Sequence, residues 1–84
     1  GEFLAMAICF VPHASERLRQ RKISEQEAIE TILHSDTEYP DKDIKGRIVA
    51  VKTLHGRKLK MVYVKRDGDI IVITVIVLGL VRPK

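Results

Sequence analysis

The chain has 84 residues, 45% of them hydrophobic and only 5% aromatic, with no Trp. That length allows one modest core, built from Ile, Val and Leu, and leaves no room for a second domain. Fifteen Lys and Arg against eleven Asp and Glu give a formal charge of +4, a mild bias toward anionic partners, nucleic acid first, that many small domains carry without binding any. The single Cys9 excludes an internal disulfide and any cysteine-based zinc site, and it fits an intracellular protein.

Gly1 to Ala5 read GEFLA ahead of Met6 and are set aside as an appended remnant, so one domain is expected over residues 6–84. No secretory signal is evident, and the expected compartment is the cytoplasm. Ala7 to Val11 is a short apolar run compatible with a strand. Pro12 separates it from the helix behind and pushes Val11 toward an extended backbone. That helix starts at Pro12 or His13 and spans about two turns, too few to be stable unless docked. Within it His13, Arg17 and Arg21 recur at i, i+4 and i+8 and form one stripe beside the apolar seam of Ala14 and Leu18. Ser15, Arg19 and Lys22 project the other way.

Ser24-Glu25-Gln26-Glu27 has the pattern of a capping box, with Ile23 and Ala28 placed as a hydrophobic staple. The second helix is expected to run to about His34, with Ala28, Ile29, Ile32 and Leu33 inward and Glu25, Gln26, Glu30 and Thr31 outward. Residues 35–46 are polar, hold four acids, and are expected to form a mobile loop in which Thr37 to Tyr39 pairs briefly as an edge. From Arg47 the apolar period changes to two. Strands are expected over Arg47–Leu54, Lys58–Lys65 and Ile70–Leu78, joined by turns at His55-Gly56 and Asp67-Gly68, with Gly79 and Pro83 closing the last one. The longest apolar run, Ile70 to Leu78, falls far short of the roughly 20 residues of a membrane-spanning helix. It is apolar on both parities, so both of its faces should be covered or one should meet another subunit, which raises a homodimer. The pattern predicts an α+β domain, two N-terminal helices packed on one face of a small antiparallel β-sheet.

Few groups could do chemistry. Cys9 lies in an apolar run and reads as a buried small hydrophobe. No paired carboxylates leave the strands, His13, His34 and His55 lack metal-ligand spacing, and no glycine-rich phosphate loop follows a strand, so no metal or cofactor is expected. Basic groups remain. Lys58, Lys60, Val62 and Val64 share one face of the middle strand, and Leu59, Met61 and Tyr63 share the other. Arg47, Lys60 and Tyr63 are candidates to surround a groove bordered by His13 and Arg17, with Arg17, Arg21, Arg47, Lys58 and Lys60 as nucleic-acid contacts. A competing account makes the stripe a solvated helix face, Lys60 a guard against edge pairing, and Thr74 a group bonded within the sheet. Such a set can cleave RNA without a metal, because the ribose 2′-hydroxyl is the nucleophile and the protein need supply only an acid, a base and cations. It could equally bind nucleic acid without reacting.

The motif His13-Ala14-x-x-Arg17-x-x-x-Arg21-x-Ile23-Ser24 resembles the opening of a family of small prokaryotic domains of unknown function grouped with the RelE/BrnT-like toxin fold. Arg47-Ile48, Leu59-Lys60-Met61-Val62-Tyr63 and Val72-Ile73-Thr74-Val75 extend the resemblance over Phe10 to Val77. Lys22 stands where that pattern usually has Gly, and Ile76 where an aromatic is common. The resemblance implies a RelE-like α+β fold and a toxin-type endoribonuclease with an antitoxin partner, acting on RNA such as ribosome-bound mRNA. Its implied catalytic set is His13, Arg17 and Arg21, with Lys60 and Thr74.

Overall fold

The computed structural model describes residues 7–80; the GEFLA segment and Pro83 lie outside the described residues. In chain order the elements are β1 (Ile8–Phe10), α1 (Pro12–Gln20), α2 (Glu25–Leu33), β2 (Thr37–Pro40), β3 (Ile48–Leu54), β4 (Arg57–Arg66) and β5 (Asp69–Leu80). The five strands form one sheet in the order β1-β5-β4-β3-β2. Strands β2 to β5 pair antiparallel, as the alternating pattern predicts. The sheet as a whole is mixed, however, because β1 pairs parallel with β5, setting Ile8, Cys9 and Phe10 opposite Ile70, Ile71 and Val72. A strand that leads into a helix, not a hairpin turn, can return only through a crossover, here α1 through β4. Cys9 is exposed on this strand, which corrects its reading as a buried hydrophobe.

Both hairpins turn on two residues with positive φ, His55 and Gly56 at 52° and 78°, and Asp67 and Gly68 at 53° and 86°. These turns match the twist of the flanking strands. They put Leu59, Met61 and Tyr63 on the face that meets the helices, where Ala14, Leu18, Ile23, Ala28 and Ile32 pack on them and on Ala50, Val72 and Val75. α1 lies against β5, and α2 against β3 and β4. The opposite face carries a smaller cluster of Val49, Val51 and Val62, with no helix over it among the described residues.

The apolar load on both parities of β5 has a local cause. A register shift between Val62 and Tyr63 pairs Val62 with Thr74 and Tyr63 with Val72, leaving Ile73 as an extra residue. The bulge flips the parity, so Ile70 and Val72 before it and Val75 after it all reach the core.

α1 begins with Pro12 at its first position and without a side-chain cap. Its end is tighter: the Ile23 amide donates to the Leu18 carbonyl at 2.8 Å, and Lys22 takes a φ of 55°. Helices commonly end on glycine in this left-handed conformation, so Lys22 holds a backbone geometry that glycine would take with less strain. The capping box of α2 is present, with the Glu27 amide donating to Ser24 Oγ at 3.0 Å and the Ser24 amide to Glu27 Oε1 at 2.9 Å. Thr31 is fully buried, not outward as expected. Its hydroxyl donates to the Glu27 carbonyl at 2.8 Å, so the polar atom is satisfied within the helix and the methyl can pack. Leu33, expected inward, is 46% exposed at the last helical position.

One side chain holds the two helices to the sheet. Arg57, at the start of β4, donates to the carbonyls of Arg21 at 2.7 Å and Lys22 at 3.1 Å. It also pairs with the Glu27 carboxylate at 3.4 Å. The Ser24 amide, aided by the Arg57 charge and opposed by burial, holds the Glu27 carboxyl below its ordinary value of 4.5. A carboxyl lowered on folding adds stability that is complete above that value and is lost as the pH falls through the folded value. Arg57→Met should therefore cost about 2 kcal/mol, the scale of charged hydrogen bonds to backbone carbonyls. Glu27→Gln should flatten the acid limb of the stability curve below pH 4.5. Urea titrations across pH check both; an unchanged midpoint for Arg57→Met at neutral pH would contradict the anchoring role.

Candidate functional site

α1 crosses the sheet over β5, with Ala14 and Leu18 buried beneath it. The same helical period that buries them sets His13, Arg17 and Arg21 along the flank facing the outer edge of β5. There the three side chains and residues 74–77 of β5 line one cleft of about 220 Å³. The cleft forms because β1 is only three residues long and pairs no further than Val72. Past that point β5 has no outer neighbour among the described residues, and α1 overhangs the vacant edge. Thr74 borders this cleft along the strand edge, but it pairs with Val62, so its side chain is directed to the face opposite the helices.

The cations here are available. Among the described residues the side-chain ion pairs are Lys52–Asp36 and Arg57–Glu27, so no carboxylate holds Arg17 or Arg21. Arg17 is half-buried, and His13 and Arg21 are exposed. This is the groove-rim disposition in which stems pack and charged heads stay in water. Two guanidiniums and an imidazole in one small cleft suit a phosphodiester: Arg can bind its oxygens in bidentate fashion, and an imidazole can give or take a proton.

The structure does not bring the remaining predicted residues to this place. Lys60 points to the opposite face, in a second hollow with Tyr39, Asp41, Lys42, Asp43, Val49 and Val62. The alternation that buries Leu59 and Met61 under the helices requires this. Lys58, also opposite in parity to Leu59, is exposed. Arg47 lies at the end of the 41–47 loop, its carbonyl accepting from the Asp41 amide at 2.9 Å. Tyr63 is buried in the helix-side core and donates to Glu38 Oε2 at 2.6 Å. Burial and the facing Glu38 carboxylate both push its phenol well above the ordinary tyrosine value, so it serves the fold and β2. Arg57 carried no sequence signal of its own, since its partners are carbonyls 35 and 36 residues away. A larger hollow beside the start of α2 has Glu27, Glu30 and His55 on its wall, but Glu27 is already bonded to Ser24 and Arg57. No cluster of three or more metal-ligating side chains occurs among the described residues.

Fold and cleft together define a small α+β domain with a basic groove at an open sheet edge. The chain belongs to the family described as a domain of unknown function (DUF4258), whose model matches residues 10–77. No curated protein and no solved structure matches it. Among the described residues no helix is long and apolar enough to cross a membrane.

His13 makes no contribution to the cap of α1, where Val11 is the capping residue and Pro12 the first helical one. Its exposed imidazole adds nothing to the core. His13→Ala should change the unfolding free energy by less than about 0.5 kcal/mol, as for other surface substitutions. A fall in melting temperature matching more than about 1 kcal/mol would assign it a structural role instead.

Proposed function

We propose that this domain is a metal-independent endoribonuclease of the toxin type, with the cleft between α1 and β5 as its active site. The observation carrying this reading is that His13, Arg17 and Arg21 line one open cleft with residues 74–77 of β5, although α1 and β5 are far apart in sequence. In the reaction the ribose 2′-oxygen attacks the adjacent phosphorus and the bond to the 5′-oxygen breaks, giving a 2′,3′-cyclic phosphate and a 5′-hydroxyl. His13 takes the 2′-proton or delivers one to the leaving oxygen, and water serves the other position. Arg17 and Arg21 clamp the phosphate and offset the charge that builds on its oxygens.

The resemblance to the RelE/BrnT-like toxin fold supports the same reading, with ribosome-bound mRNA as a substrate and an antitoxin as partner. A homodimer, suggested by the apolar load of β5, would meet through the exposed Ile76 and Leu78 of that strand. A second reading, a non-catalytic module that binds nucleic acid or protein, draws on the distribution of charge. The cleft holds a single imidazole, and Lys60 lies in a different hollow on the opposite face.

The test is an RNA cleavage assay with EDTA present, on free and ribosome-bound RNA. Wild type should cut at least one of them, and His13→Ala should cut about 10²–10⁴-fold more slowly, the usual contribution of one acid–base group. Arg17→Ala should instead weaken RNA binding and flatten its dependence on salt. If the folded wild-type protein cuts neither RNA, the binding module replaces the enzyme.

A further inference from the structure

The two edges of the sheet are built differently. β2, at one edge, has four residues, ends on Pro40, carries Glu38 and is followed by Asp41. Short length, proline and charge are the usual devices that stop an edge from pairing with another chain. β5, at the other edge, is twelve residues long and has no charged side chain after Asp69. β1 covers it only at Ile70, Ile71 and Val72. Between the two register shifts lies a regular window in which Thr74, Val75, Ile76 and Val77 pair in turn with Val62, Met61, Lys60 and Leu59. Its inner side is therefore paired in register throughout, while its outer side meets no strand among the described residues. An edge of this kind is a template for an added strand, and β1 already uses its first part in that way.

We propose that the open edge of β5 at residues 74–77 receives an extended acidic segment of a partner protein as a further strand. The choice of an acidic polypeptide rests on charge. An incoming strand would run beneath the stripe of His13, Arg17 and Arg21, which borders these same residues and has no carboxylate partner among the described residues. Alternate side chains of an added strand point to one face, so carboxylates at every second position would all meet the stripe. A second copy of this chain fits poorly: two β5 edges paired about a twofold axis perpendicular to the sheet would bring two cationic stripes together, and the chain has a formal charge of +4. That the bound segment also shuts off RNA cleavage rests on the reading of the cleft as an active site; the strand pairing itself does not.

The probe is a synthetic peptide of roughly six residues, a common strand length, alternating Glu and Val. Two controls accompany it, one with Lys in place of Glu and one with alternate backbone amides methylated. Binding is followed by calorimetry and by amide hydrogen exchange, without RNA. The acidic peptide should bind and slow exchange within residues 74–77. The methylated peptide should lose roughly tenfold or more in affinity, because hydrogen bonds to the edge are gone with the charge unchanged. The Lys peptide should not bind. Equal binding of the methylated and acidic peptides, or slowed exchange only on the Lys58 and Lys60 face, would overturn the proposal. So would an edge already protected in the free protein as a dimer by light scattering. A chain that binds the peptide as described but cuts no RNA would keep this proposal and lose the enzymatic one.

Discussion

The guanidinium of Arg57 joins three things that would otherwise be free to move apart. Two carbonyls at the end of α1 and the carboxylate of Glu27 in α2 converge on it, and it stands on the first residue of β4. Each helix has only nine residues, too short to persist without docking. One of the two carbonyls is that of Arg21, the last cation of the stripe, so the contact that fastens the helices also aims the cleft.

From that anchor the rest follows by period. α1 buries Ala14 and Leu18, and the same turn of helix leaves His13 and Arg17 over the edge of β5. β1 is long enough to start the parallel pairing yet too short to cover that edge. A longer β1 would give a complete sheet with no cleft. The bulge at Ile73 lets one strand put Val72 and Val75 into the same core, so a stretch apolar on both parities does not by itself require a covering subunit. The basic groove thus results from an interrupted strand pairing under an overhanging helix.

Much of this was legible in the residues. The capping box at Ser24, the positive-φ turns at Asp67-Gly68 and His55-Gly56, and the change of period at Arg47 each have a local physical cause that survives folding. The stripe on α1 was legible for the same reason. What escaped depends on contacts distant in sequence. Lys60 shares its charge with Arg17 but not its face, because the faces of β4 are set by which parity the helices cover. The polarity of Thr31 points outward in the sequence, but its hydroxyl is satisfied by the carbonyl of Glu27 and so can be buried. The apolar neighbours of Cys9 suggest burial, whereas β1 is an edge strand of the sheet and leaves the thiol exposed. Arg57 had no local pattern at all.

We propose that the cleft between α1 and β5, and not the lysine-bearing face of the sheet, is where this domain meets a phosphodiester. The most direct measurement is a chemical-shift titration of the isotope-labelled protein with a short RNA made uncleavable by 2′-methoxy substitution. Shifts should concentrate on His13, Arg17, Arg21 and residues 74–77, with Lys58, Lys60 and Val62 nearly still. Shifts centred on Lys58, Lys60 and Val62, with the α1 stripe unmoved, would contradict it.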